Sequence, residues 1–234
     1  MKLPELIVRP NRRPAKFTLL FLSLILLFVL YPLAAELGQG AALLDISGSL
    51  ILLAAVYAIA RQRRAKWTAM ILAVVTLAAN WGGNIAHSRV LDLVTCVAYA
   101  AFFAFAAIVI TRNILAEQQV SFDVIVGGAC VYMILGLVWA NLYTLMAFIQ
   151  PNAFSGAAVQ AEILREQAAW FSADNADLIY FSFTTLSTLG YGDIVPATHA
   201  TRSLAALEAI LGQLYLTVLV ARLVGLHIVG ATSK

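Results

Sequence analysis

Along the chain, apolar residues gather into six long runs separated by short polar breaks. Phe17 to Ala35 is nearly continuous Leu, Phe, Ile and Val, about the length that one hydrocarbon crossing requires. Ala41 to Ala60, Ser88 to Thr111, Ser121 to Ile149 and Ser203 to Ile228 are comparable, and each reads as a membrane-spanning helix. Trp67 to Trp81 is short for a span, but a tryptophan at each end suits anchoring at the two interfaces. A further run, Asn175 to Ser187, is too short to cross and fits a re-entrant helix that Asp174 or Asn175 can cap. The pattern predicts an all-α transmembrane fold with six membrane-spanning helices and one re-entrant helix.

The breaks are equally legible. Residues 1 to 16 are polar, basic and broken by Pro10 and Pro14, an arm at the membrane surface. Glu36 to Gly40 and Gly82-Gly83-Asn84 read as turns, Asn113 to Gln119 as a short interfacial helix. Residues 150 to 174, with Pro151, Glu162, Arg165 and Glu166, read as an exposed, partly helical loop, and Pro196 ends the stretch before the last run. A basic segment before the first run, and Ala34 and Ala35 after it, match the layout of a secretory signal. Its apolar stretch exceeds the roughly 7 to 15 residues usual there, so the span is expected to be retained. Asp45, near the outer end of the second run, is expected to face other helices or the headgroups.

Composition sharpens the class. Apolar residues make up 62% of the 234 and charged residues 12%, with a mean hydropathy of +0.89, which excludes a soluble domain. The Lys and Arg residues cluster beside the runs, at Lys2, Arg9, Arg12, Arg13 and Lys16 and again at Arg61, Arg63, Arg64 and Lys66. Short basic loops next to spans follow the positive-inside rule and give no reason to invoke nucleic acid. With the amino terminus inside, eleven basic residues fall on inner segments and three (Arg89, Arg165, Arg202) on outer ones. Both termini are therefore expected in the cytoplasm, and residues 150 to 202 outside, in a multi-pass protein of the plasma or bacterial inner membrane. Cys96 and Cys130 lie inside apolar runs and read as small buried hydrophobes, while His87, His199 and His227 lack any metal-ligand spacing. No paired polar catalytic set occurs at membrane depth, so no enzyme activity and no cofactor is expected.

Thr188-Leu189-Gly190-Tyr191-Gly192-Asp193 follows the re-entrant run directly. Two glycines around a tyrosine can make an ordinary surface turn, but this stretch lies between helices long enough to span a bilayer. Preceded by Ser187, it resembles the selectivity filter of the tetrameric potassium channel family, whose usual form is Thr-Val-Gly-Tyr-Gly-Asp. Ser121 to about Ile228, nearly half of the chain, resembles that family's outer helix, pore helix, filter and inner helix. The resemblance implies a homotetramer in membrane lipid that conducts potassium ions passively. The ion would be bound by the backbone carbonyls of Thr188, Leu189, Gly190 and Tyr191, stacked as rings that replace its water. Gly190 and Gly192 would permit the required dihedrals, Tyr191 would brace the strand from behind, and Asp193 would close the outer end. Phe181, Thr184 and Ser187 would support the filter. Gly212 stands where many members have a gating-hinge glycine, although close helix packing is an equal reading. Glu208 is expected to contact the pore module internally, because lipid exposure would be costly.

Two departures stand out. Thr184 occupies the position of a carboxylate that pairs behind the filter in the best-studied members, and Phe181 replaces a tryptophan that often braces the filter aspartate. The first four helices resemble a voltage-sensing domain in number alone, since no Lys or Arg lies between Val90 and Thr111. The expected organisation is an arm at 1–16, a four-helix domain at 17–112, a linker at 113–120, a pore domain at 121–229 and a tail at 230–234, too short for a gating ring. A non-conducting structural or regulatory membrane subunit, or a weakly selective cation channel, are the alternatives.

Overall fold

The computed structural model describes residues 16–36, 40–60, 63–86, 89–150, 152–156 and 173–232. Within them lie seven helices, α1 (Lys16–Glu36), α2 (Gly40–Ile59), α3 (Arg63–Ala86), α4 (Arg89–Ala116), α5 (Phe122–Ile149), α6 (Ala173–Leu186) and α7 (His199–Thr232). Two short strands, β1 (Phe154–Ser155) and β2 (Val195–Pro196), complete the described elements. Most of the amino-terminal arm, the turn at 37–39, most of the 150–174 loop, and the side chains of Asp45, Asp174 and Asn175 lie outside the described residues.

Each apolar run has become a helix, and three of them (Val90–Ala116, Phe122–Ile149 and His199–Ile228) are long and apolar enough to cross a membrane. Several element ends differ from the sequence expectation, among them the starts of α3 at Arg63 and of α7 at His199. Lys16, expected in the arm, opens α1. Gly82-Gly83-Asn84 is not a turn, because α3 runs through it to Ala86. Gly83 is used for close approach there: a Cβ would stand 3.1 Å from Asp92 Oδ1 on α4. The separate interfacial helix expected from Asn113 is instead the end of α4, leaving 117–121 as the only non-helical link. At the far end α7 extends to Thr232, into the expected tail.

The first four helices pack in sequence order, α1 on α2, α2 on α3 and α3 on α4, and both α1 and α4 lie against α5. The largest core runs through this interface, with Leu20, Leu24, Ile51, Leu52, Tyr99, Phe102, Ile110 and Ile134 fully buried. Helix α5 starts at an N-cap, Ser121, whose side chain accepts from the Val124 N–H at 3.3 Å. Two residues later Asp123 accepts from the Phe17 N–H at 3.2 Å, satisfying a donor that the start of α1 leaves over. The glycine pair on α5 serves two neighbours: Gly127 faces the Phe17 ring of α1 and Gly128 faces Leu219 of α7.

Helices α6 and α7 pack on α5 and on each other. Tyrosine hydroxyls fasten them: Tyr132 of α5 donates to the Leu186 carbonyl at the end of α6 (3.0 Å), and Tyr215 of α7 donates to the Gly128 carbonyl (2.8 Å). At the other end of α7, Arg222 reaches the C-terminal end of α4. Its Nη2 donates to the carbonyls of Ile114 (3.4 Å), Leu115 and Glu117 (3.0 Å). The Ile114 carbonyl also accepts from the Glu117 N–H (3.2 Å), and a guanidinium at this helix end meets the negative end of the dipole.

Arg222 thus joins the four-helix bundle to α7 at one point. Replacing Arg222 with Ala should destabilise the folded protein by about 1–3 kcal/mol, the range for losing charged hydrogen bonds. Lys, a point charge without the fork, should restore only part of that. Thermal unfolding of the three proteins in one detergent checks both statements.

Candidate functional site

The short α6 sets up everything that follows it. An α-helix leaves its last four carbonyls without intrahelical partners, and here all four are taken. The Phe183 carbonyl accepts from the Ser187 N–H (3.0 Å) and hydroxyl (2.6 Å). The Thr184 carbonyl accepts from the N–H groups of both Leu189 (2.8 Å) and Gly190 (3.2 Å). The Thr185 carbonyl accepts from the Thr188 N–H (3.0 Å), and the Leu186 carbonyl takes the Tyr132 hydroxyl. The Leu189-to-Thr184 and Thr188-to-Thr185 pair is the Schellman arrangement, which needs a left-handed residue at its C′ position. That residue is Thr188, with φ of 59°. A glycine would sit there without strain, and a β-branched residue is a true outlier.

The left-handed turn at Thr188 starts an alternation. Gly190 has φ of 57° and Gly192 φ of 83°, while Leu189 and Tyr191 between them have negative φ. A backbone whose residues alternate in hand turns its N–H groups to one side and its carbonyls to the other. The N–H groups of Leu189 and Gly190 are turned to Thr184 on α6, which leaves the carbonyls of the stretch outside that bonding. A row of such oxygens is a ligand set for a hard cation. A Cβ at Gly190 or Gly192 would meet no atom within 4 Å, so the backbone angle alone calls for glycine there.

The segment is pinned at its far end as well. β2 pairs antiparallel with β1, Phe154 opposite Pro196 and Ser155 opposite Val195, and the Ala197 N–H donates to the Ala153 carbonyl at 2.9 Å. Thr198 and Thr201 cap the start of α7 reciprocally, each hydroxyl accepting from the other's N–H (3.3 and 3.2 Å). Under the turn lies an aromatic triad, Tyr143, Phe154 and Phe181, with ring centroids 5.0 to 5.5 Å apart in edge-to-face geometry.

The residues expected to support the stretch behave differently from one another. Ser187 bonds back to the Phe183 carbonyl through its N–H and its hydroxyl. Thr184 contributes its carbonyl, while its hydroxyl donates to the Phe181 carbonyl at 2.9 Å. Phe181 is buried in the triad. The residue beside Asp193 is instead Tyr180, one position earlier. Its ring stacks on Tyr191 (centroids 6.5 Å apart, planes 6° from parallel), and its hydroxyl bonds to the Asp193 carboxylate. Desolvation, then that hydrogen bond and the Asp193 charge, with a further contribution from Tyr191, hold the Tyr180 hydroxyl above the usual tyrosine pKa, so it remains a donor. A one-residue step on a helix turns a side chain by about 100°, which separates the face toward the turn from the face toward the core.

Gly212 lies inside the continuous α7, where a Cβ would stand 2.7 Å from the Leu186 carbonyl oxygen. Glu208, one turn earlier, is fully buried, and its partners are Tyr143 of α5 and Ser182 of α6 (2.6 Å). The expectation of an internal contact is met, with partners that spacing alone could not name.

Comparison with known proteins adds one finding. Neither curated proteins nor solved structures gave a match to the chain. Residues 121–226, just under half of the chain, match a family model described as ion channel. That segment holds α5, α6, the alternating turn and all but the end of α7, and the match supports an ion-channel domain in a helical membrane protein.

Proposed function

We propose that the chain is one subunit of a potassium-selective channel, a homotetramer that conducts passively and is not an enzyme. The observation that carries this reading is the alternation of φ at Thr188, Gly190 and Gly192, anchored to the carbonyl end of α6. A potassium ion leaving water needs oxygens in similar number and distance, and the carbonyls of Thr188, Leu189, Gly190 and Tyr191 would each give one ring. One chain supplies a quarter of each ring, hence four copies around an axis. In this reading all six long helices cross the membrane, α6 is re-entrant, and both termini face the cytoplasm. Only 11% of the apolar stretch of α7 is buried within the chain, against 50% and 56% for α4 and α5. Neighbouring copies and lipid would cover the remainder. A weakly selective cation pore is the second reading, favoured by Thr184, whose hydroxyl is spent on Phe181 and not on Asp193.

Native mass measurement in mild detergent or nanodiscs should give four chains per particle; a conducting monomer or dimer would contradict the assembly. Opening should depend weakly on voltage, since each charge crossing the field yields only about 2.3 kcal/mol per 100 mV and α4 carries none between Val90 and Thr111. Bilayer recordings of open probability should give an effective gating charge below about four per tetramer, well short of the roughly 12 to 16 of a full sensor.

The direct test is selectivity. Gly190→Ala forces a Cβ onto a left-handed residue at a cost of about 1–2 kcal/mol per chain, felt four times in the assembly. Reversal potentials in potassium and sodium gradients should show preference for potassium in the wild type and loss of conduction or discrimination in the variant. An assembled Gly190→Ala tetramer with wild-type selectivity would remove residues 188–193 from the role. A wild type that passes both ions alike would favour the second reading.

A further inference from the structure

Glu208 is a carboxyl group with no exposure to solvent, in the middle of an apolar helix long enough to span a membrane. Polar and ionisable groups at such a depth are expensive and are kept for a use. Its partners come from two other helices: the Tyr143 hydroxyl of α5 donates to Oε2, and Ser182 of α6 lies 2.6 Å from Oε1. Ser182 is also 2.8 Å from the Gly136 carbonyl of α5. One node therefore ties together α5, α6 and α7.

The node's position gives it a task. Ser182 and Leu186 are one turn apart on α6, and Glu208 and Gly212 are one turn apart on α7. Ser182 meets Glu208 and Leu186 meets Gly212, so the two pairs form a single seam. At Gly212 the seam has no room for a side chain, which sets the distance between the helices. At Glu208 it has directional bonds, which set their register. Between Ser182 and Leu186 lies Thr184, whose carbonyl holds the N–H groups of Leu189 and Gly190. Any slip of α6 along α7 is passed straight to the carbonyl row.

We infer that Glu208 is a positioning residue for the carbonyl row: it fixes α6 against the last helix by hydrogen bonds, and so sets how sharply the row discriminates between cations. The role rests on the proposed channel reading and adds to it a residue outside the Thr188–Asp193 turn. Glutamine can make the same bonds, accepting from Tyr143 and donating to Ser182 Oγ, whose proton then goes to the Gly136 carbonyl. Alanine can make none.

Wild type, Glu208→Ala and Glu208→Gln, each purified as the assembled oligomer and reconstituted in liposomes, give the test through potassium-to-sodium permeability ratios. Glu208→Ala should lower the ratio about tenfold, the equivalent of about 1.4 kcal/mol and the scale of one lost buried hydrogen bond. Glu208→Gln should stay close to wild type. A wild-type ratio in assembled Glu208→Ala overturns the role, and so does a Glu208→Gln protein as impaired as the alanine variant. If Glu208→Ala does not assemble, Ser182→Ala removes the α6 side of the node, and an unchanged ratio there overturns the role equally. A wild type without potassium preference overturns the channel reading and this role with it, a result distinct from any variant outcome.

Discussion

Non-helical backbone must find partners for its N–H and C=O groups, and the first residues of the stretch from Ser187 to Ala197 find them at the end of α6. The N–H groups of residues 187 to 190 are all spent on the last carbonyls of α6. The far end is spent on the two-stranded pairing with β1. What is left over is the opposite face of the turn, with its carbonyls. The turn is held by its donors, and on the proposed reading the acceptors that remain are the ones that meet the cation.

Thr188 carries the cost of it. Glycine would satisfy the left-handed position at the end of α6 with no Cβ penalty, and a β-branched residue is held there against its preference. Strain of this kind persists only where the surroundings over-determine it, and here two hydrogen bonds of the Schellman pair do so. The hydroxyl is what a glycine would lack. It bonds to the Ser187 carbonyl at 2.7 Å, at the point where the helix gives way to the alternating chain. On the proposed reading that is the mouth of the pore, where a further oxygen per subunit has a use.

The helices were legible because a membrane crossing leaves a long apolar run, a signal that needs no partner to be read. The turn was legible because Gly190 and Gly192 announce left-handed backbone. Interactions between distant segments were not. Tyr180 and Phe181 are adjacent aromatics on one short helix, and only the rotation of α6 about its axis decides which of them faces Asp193. The node of Tyr143, Ser182 and Glu208 spans 65 residues, and only the buried acid at its centre gave a signal. Gly82 and Gly83 misled for the opposite reason. Two glycines and an asparagine are turn formers by local preference, but α3 runs through them, and a Cβ at Gly83 would crowd Asp92 of α4.

Beside the edge-to-face pair of Phe28 on α1 and Phe183 on α6, with centroids 4.7 Å apart, two contacts of different kind tie the four-helix part to the remainder. One is broad and apolar, α4 and α1 against α5, and surfaces packed to crystal density resist sliding. The other is narrow and polar, Arg222 of α7 on the carbonyl end of α4. All of its bonds come from Nη2, and Nε is buried without a hydrogen-bond partner, so this attachment rests on one nitrogen. The broad contact therefore fixes α5 against the four-helix part, while the narrow one reaches the carboxy-terminal half of α7 at a single residue. The glycine seam and the Glu208 node hold the amino-terminal half of α7 to α6, whereas Arg222 ties its carboxy-terminal half to the end of α4.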